Sequence, residues 1–203
     1  MPKKNPVSTE TLPAKRALKK NEIIIMTADA ALGFLLVASL TSVAMRTSSF
    51  VVESGFGDAV AASFILSLSI VSGFAGGILF GRLLSCMESV LLPVTLFAMG
   101  AGLSVIAFSN GLLMVGFGAC LFGYFATIGL SYMFNSLSDC LPNDILTTAN
   151  AVVLIGCNLG AATAPFHLQM FALINKDLSF GFLGYAFCAF VTAAALLLRK
   201  LKK

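Results

Sequence analysis

Two charged side chains, Asp29 and Arg46, lie inside the first long apolar run of the sequence. Charges in such runs are costly in lipid and mark proton or solute pathways. In a regular helix Asp29 lies about 10 Å above Glu22, so its carboxyl is a candidate proton carrier. Structural pairing and a position at the membrane interface are the alternatives. Arg46 is either a contact for an anionic group or an anchor in the outer leaflet.

Polar side chains suited to a solute cavity are concentrated in four of the apolar runs. At about 100° per residue, Ser39, Ser42 and Arg46 share one side of the first helix. The second, fourth and fifth runs add Ser69, Tyr124, Asn158 and Gln169. Buried polar groups in lipid mark cavities or pathways. We therefore predict a substrate cavity lined by these seven residues.

The fifth apolar run has two different faces. Asn158 and Gln169 share one side, whereas Gly156, Gly160 and His167 cluster on the other. Small residues spaced by four let helix backbones approach closely. We therefore predict a packing seam there, with His167 as a hydrogen-bonded interface residue rather than a ligand for substrate or protons.

Glycines also form a stripe at the end of the second run, at Gly73, Gly77 and Gly81, and Arg82 follows at once. The spacing of four predicts a tight helix crossing near the cytoplasmic face.

Six apolar runs must position these residues, and charged or turn-forming clusters separate them. The predicted spans are Glu22–Ser49, Asp58–Leu83, Ser89–Phe108, Gly111–Ser138, Ile145–Ile174 and Phe180–Leu198. Each has the roughly 20 residues that a helix needs to cross about 30 Å of hydrocarbon. The basic segments 1–21 and 199–203 are predicted to be cytoplasmic tails, the first flexible.

Composition indicates a membrane protein, because hydrophobic residues make up 58% of the chain and charged residues only 11%. Soluble domains average about 45–50% and about 25%. The basic residues flank apolar runs, which argues against nucleic-acid binding. Five scattered cysteines and one histidine predict neither a disulfide framework nor a metal site, and we expect no cofactor. Hydrolase motifs are missing, so we expect no enzyme.

The distribution of basic residues predicts the orientation. With six spans, both termini share one side, which collects eleven basic residues from the two tails and one loop, whereas the opposite side receives Lys176. The positive-inside rule therefore places both termini in the cytoplasm, and we expect the chain in the plasma (inner) membrane.

Two segments resemble the major facilitator superfamily. The segment from Gly77 to Leu83 (GILFGRL) resembles the loop signature after the second helix of each six-helix bundle in that family. The segment from Asn158 to Pro165 (NLGAATAP) resembles a pattern of its eleventh helix. The sequence departs from the family after Arg82, where Ser85, Cys86 and Met87 replace an acidic residue and basic residues, and only Glu88 is charged.

The resemblance implies an all-α fold of six transmembrane helices, the C-terminal half of a twelve-helix secondary transporter. In that family the first, second, fourth and fifth helices of a bundle line the cavity, and the third and sixth face lipid. A second bundle is then a required partner, either a separate N-terminal half or an identical copy.

The expected function is alternating-access transport of a small organic solute, with proton-coupled efflux of a drug or metabolite as the favoured form. A non-transporting membrane subunit or a truncated remnant is the alternative. Substrate, direction of transport and coupling ion are not determined by the residues.

Overall fold

The computed structural model describes residues 18–87 and 90–201 of the 203-residue chain. They form six helices: α1 Lys20–Glu53, α2 Ala59–Met87, α3 Leu91–Ala107, α4 Leu112–Cys140, α5 Asn143–Ile174 and α6 Ser179–Leu201.

Short polar segments separate the helices. Carboxylates of these segments accept hydrogen bonds from the free backbone N–H groups at the starts of the following helices. The Asp58 carboxylate accepts a hydrogen bond of 2.8 Å from the Ala61 N–H at the start of α2. At the start of α6, the Asp177 carboxylate accepts one of 3.0 Å from the Ser179 N–H. The turn between α1 and α2 contains Gly55 with a φ of 69°, which glycine adopts without strain.

The predicted spans match the six helices closely. The largest differences are at Ser49, where α1 continues to Glu53, and at Leu83, where α2 continues to Met87. Residues 199–201, predicted to begin a C-terminal tail, belong instead to α6, which continues to Leu201. Of the predicted N-terminal tail, residues 1–17 lie outside the described part of the chain.

Five of the helices are long and apolar enough to cross a membrane, as fits an all-α integral membrane protein. The remaining helix, α3, is apolar but has only 17 residues.

Packing follows a simple pattern in which α1 lies along α5, α2 along α4, and α3 between α4 and α6. One side of α3 belongs to the core along its whole length, since five large apolar side chains are almost completely buried: Leu91, Leu96, Met99, Leu103 and Ile106. The third and sixth helices, which the resemblance predicted to face lipid, therefore also contribute to the core. Each has an exposed face, as at Phe97 and Phe187, and a face buried in the bundle.

Pairs of contacting residues show the direction of each helix. Gly156 of α5 meets Ala30 of α1, and Gly160 meets Phe34, so α1 and α5 run parallel. Residue numbers also rise together along α2 and α4, whose contacts run from Ile65 with Gly116 to Gly76 with Tyr124.

Neighbouring helices of the remaining pairs run antiparallel. Along α3 and α4 the numbers run in opposite senses, from Thr95 with Gly129 to Gly102 with Gly118. The ring of Phe171 in α5 contacts that of Phe180 near the start of α6, and Tyr185 contacts His167, four residues earlier in α5. The six helices thus alternate in direction, and both ends of the described chain lie at the same end of the bundle.

Candidate functional site

The seam between α1 and α5 is a direct contact of two backbones. A Cβ atom added at Gly156 would meet the carbonyl oxygen of Ala30, and one added at Gly160 would meet that of Phe34. Both glycines are buried. The predicted seam residues of the fifth run therefore lie against α1, where any larger side chain would separate the helices.

The seam between α2 and α4 has the same backbone contact and adds hydrogen bonds across it. A Cβ at Gly123 would meet the carbonyl oxygen of Ser69. The Ser69 hydroxyl donates a bond of 2.8 Å to the Ala119 carbonyl oxygen. The Ser72 hydroxyl donates one of 2.8 Å to that of Cys120. Ser69, predicted to line the cavity, is thus buried in a helix seam.

The close approach of α2 lies at Gly73 and Gly76 rather than along the predicted stripe. A Cβ at Gly76 would lie 2.5 Å from the Tyr124 carbonyl oxygen. A Cβ at Gly77 would be in ordinary contact, 3.7 Å from a Thr127 methyl group, and one at Gly81 would meet nothing within 4 Å. Gly77 and Gly81 are exposed on the outward face of α2 and make no close contact within the described residues of this bundle. Arg82 is exposed beside them.

A chain of three hydrogen-bonding side chains joins α1, α6 and α5 in the bundle interior. The Ser42 hydroxyl donates a bond of 2.8 Å to the Tyr185 hydroxyl oxygen. That oxygen lies 3.1 Å from Nδ1 of His167. Ser42 is 1% exposed and Tyr185 5%. The rings of Phe34 and Phe171 flank the chain, at 5.6 Å from the His167 ring and 5.7 Å from the Tyr185 ring.

The donor and acceptor roles at His167 depend on its tautomer. An arrangement in which Ser42 donates to Tyr185 and Tyr185 donates to Nδ1 of His167 requires an imidazole whose proton is on Nε2. The sequence identified His167 as an interface residue but missed Tyr185. The available signal was a lone tyrosine in an otherwise apolar run, since a buried hydroxyl needs a partner.

Ser39 is not exposed to a cavity. It is completely buried, and its hydroxyl donates a 2.7 Å bond to the Leu36 carbonyl oxygen in its own helix. The predicted polar face of α1 is therefore divided: Ser39 is in the core, whereas Ser42 belongs to the chain with Tyr185.

Asp29 lies on α1 about 20 Å from Ser42 along the helix axis, at 1.5 Å per residue. It is half-buried, and no hydrogen bond or ion pair reaches its carboxylate from the described residues. The structural ion pair considered from the sequence is thus not formed with any part of the chain that the structure describes. A carboxylate without a counter-charge is suited to binding a proton.

Arg46, one turn beyond Ser42, is also without an acceptor. Its Nε atom is buried and has no hydrogen-bond partner among residues 18–87 and 90–201. Asp29 and Arg46 are about 25 Å apart along the axis of α1, too far to pair with each other.

The two amides of the fifth helix that were predicted to line the cavity lie on the outside of the bundle. Asn158 and Gln169 are exposed, on the side of α5 opposite the seam with α1. Apolar side chains such as Leu159, Phe166 and Met170 surround them. This part of the predicted substrate face is therefore an outer surface of the six-helix unit.

Tyr124 is half-buried, and its ring packs edge-on against that of Phe125. A groove of about 470 Å³ lies near it, between α1, α2 and α4, lined by Leu40, Ser69, Ile70, Gly73, Phe74, Gly77, Ile78, Gly123 and Thr127. Both hydroxyls of this lining donate to backbone carbonyls. The groove therefore presents mainly apolar surface.

The predicted polar site residues are thus not brought together: Ser42 and His167 belong to the chain around Tyr185, Asp29 and Arg46 lie far apart on α1, and Asn158 and Gln169 are exposed on α5. Neither the protein-family models nor the curated proteins compared with the sequence match it.

Proposed function

We propose that the chain is one six-span bundle of a secondary transporter of the major facilitator type, which moves a small organic solute by alternating access with a second bundle. Proton coupling through Asp29 belongs to the same proposal. The proposal also puts the chain in the plasma (inner) membrane, with both termini on the cytoplasmic side.

The observation that carries the proposal is the presence of two extensive parallel helix contacts, α1 with α5 and α2 with α4, which fit an inverted repeat. The helices α1 to α3 alternate in direction, and α4 to α6 repeat that order upside down. Under this relation α1 corresponds to α4 and α2 to α5. The parallel pair α1 with α5 is then the equivalent of α4 with α2, and both pairs are main contacts of the bundle. Inverted repeats of three helices within each six-helix half are a feature of this transporter class.

Six crossings follow if α3 spans the bilayer. Its 17 residues extend about 25 Å, at the lower limit of spanning helices, and it runs antiparallel to α4 along a common interface. Alternation of all six helices puts both termini on one side, and the excess of basic residues there supports a cytoplasmic location.

The exposed amides support a second bundle. Asn158 and Gln169 would face hydrocarbon in an isolated bundle, at a cost of about 1–3 kcal/mol for each unpaired polar group. A partner bundle covering this face of α5 removes that cost.

Transport is tested in membrane vesicles that carry an imposed pH gradient, by following a pH-sensitive dye as a panel of organic solutes is added. We expect at least one solute to dissipate the gradient with the wild-type chain and none with Asp29→Asn. Asp139→Asn, which alters an exposed carboxylate near the end of α4, is the matched control and should behave as wild type. A response of Asp29→Asn equal to wild type removes Asp29 from the mechanism. No response with any solute favours the non-transporting alternative.

The partner is tested by crosslinking single-cysteine variants, built on a cysteine-free chain, in native membranes. Asn158→Cys should crosslink, whereas Val191→Cys on the exposed face of α6 should not. Self-crosslinks identify a homodimer, and crosslinks to another polypeptide identify a separate first half. Equal crosslinking at both positions, or none at Asn158, contradicts the proposed interface. Ser39 cannot report on it because that side chain is buried.

A further inference from the structure

We propose that Arg46 binds an anionic oxygen group, a carboxylate or phosphate, near the end of the bundle opposite the chain termini. The inference deepens the proposed function by naming the charge of the ligand. It rests on that function only in taking the bundle to be embedded in lipid.

The first argument is the uncompensated charge of Arg46. A guanidinium remains charged and offers five N–H donors in a planar fork that matches carboxylate and phosphate. The buried Nε has no acceptor among the described residues. A charge within a span calls for a partner of opposite sign, and an anionic ligand supplies it.

The second argument is the absence of a suitable carboxylate on neighbouring elements. Three acidic residues lie at this end of the described bundle, and all are exposed: Glu53, Asp58 and Asp177. The last two hold backbone N–H groups at helix starts. Arg46 precedes Glu53 by seven residues of helix, about 10 Å. None of the three forms an ion pair with it.

The third argument is the chemistry around Arg46. The polar groups one turn away are bonded to one another, since Ser42 donates to Tyr185 and Tyr185 lies against His167. On the other side, one turn further along α1, the Phe50 ring packs against Phe182 at 5.5 Å. The ring pair nearest to Arg46 along α1 is aromatic, so benzoate, a carboxylate on an aromatic ring, is the probe.

The experiment measures the thermal unfolding of the purified full chain in nanodiscs of phosphatidylcholine, with benzoate or its neutral isostere benzamide. We expect benzoate to raise Tm by about 2–4 °C in a saturable manner and benzamide to have no effect. The shift should be lost in Arg46→Gln and kept in Arg82→Gln, which removes an exposed arginine at the other end of the bundle. Arg46→Lys keeps the charge but loses the fork, so it should bind several-fold more weakly.

A second set of nanodiscs contains phosphatidylglycerol and no benzoate. If the chain is stabilised there and not by benzoate, and Arg46→Gln removes the effect, the bound anion is the headgroup of an anionic lipid, since phosphatidylcholine also carries a phosphate but has no net charge. Stabilisation by benzoate in phosphatidylcholine identifies a soluble anion. The proposal is overturned if neither anion stabilises the wild type, or if Arg46→Gln responds as the wild type does. Should Arg46→Gln fail to fold, the ¹⁵Nε signal of Arg46 in the wild type must move on addition of either anion, and an unmoved signal overturns the proposal. Because no transport is measured, the result is independent of the vesicle assay.

Discussion

The α1–α5 seam and the α2–α4 seam are the two parallel helix contacts of the bundle, yet they use polar side chains differently. In both, a glycine backbone lies against carbonyl oxygens of the partner helix. Across the α2–α4 seam, Ser69 and Ser72 donate to carbonyls and tie the two helices together. The hydroxyl of Ser42 in α1 bonds instead to a third helix, at Tyr185. The same helix also carries the unpaired Asp29 and Arg46.

The difference indicates that the two seams have different roles although their backbones pack in the same way. Polar atoms of the α2–α4 seam are satisfied by backbone groups and are unavailable to a ligand or proton. The α1 side has hydroxyl and imidazole groups whose bonds can be exchanged, and two charges without partners. We therefore expect chemistry on the α1 side and mechanical stability on the other.

The largest effect should come from adding one methyl group at the glycine contacts. Gly156→Ala and Gly123→Ala each place a Cβ against a carbonyl of the facing helix, so both should lower the free energy of unfolding by about 1–3 kcal/mol. Thermal unfolding in detergent measures the loss. Gly81→Ala is the control and should be neutral or slightly stabilising, because its Cβ meets nothing and alanine favours helix. A loss in only one seam would show that the two are not equivalent.

A smaller effect is expected at the chain around Tyr185. Tyr185→Phe removes two hydrogen bonds and should cost about 1 kcal/mol, since hydrogen bonds between membrane helices average about 0.6 kcal/mol each. Ser42→Ala combined with Tyr185→Phe should cost clearly less than the sum of the single changes, because the two side chains share a bond. Additive losses would contradict the hydrogen-bonded chain.

The smallest effect is expected in the α2–α4 seam. Ser69→Ala removes one hydrogen bond to a backbone carbonyl and should cost about 0.6 kcal/mol. Combined with Tyr185→Phe its effect should be additive, because the two sites share no partner. The same substitution should leave the gradient response of the vesicles unchanged. If Ser69→Ala abolished the response, the α2–α4 seam would take part in transport. That result would contradict the assignment of stability to this seam and of chemistry to the α1 side.

The sequence alone determined the membrane class and the helices, with ends within a few residues of the observed ones. The helices are predictable because a segment in lipid has no water to bond and must form its backbone hydrogen bonds within itself. Their ends are predictable because the turn-forming clusters between the apolar runs are local signals. The spacing within one helix also identified Gly156 and Gly160, although the same spacing did not identify a contact at Gly77 and Gly81.

Only the tertiary structure decided which residues meet. The spans are apolar on nearly all sides, so the pattern does not show how each helix is rotated toward its neighbours. Rotation of α2 placed Gly76 in a seam and left Gly77 and Gly81 outside, and rotation of α1 buried Ser39. The partnership of Ser42 with Tyr185 joins residues 143 positions apart. Such a contact depends on the packing of several helices, which no single run of the sequence encodes.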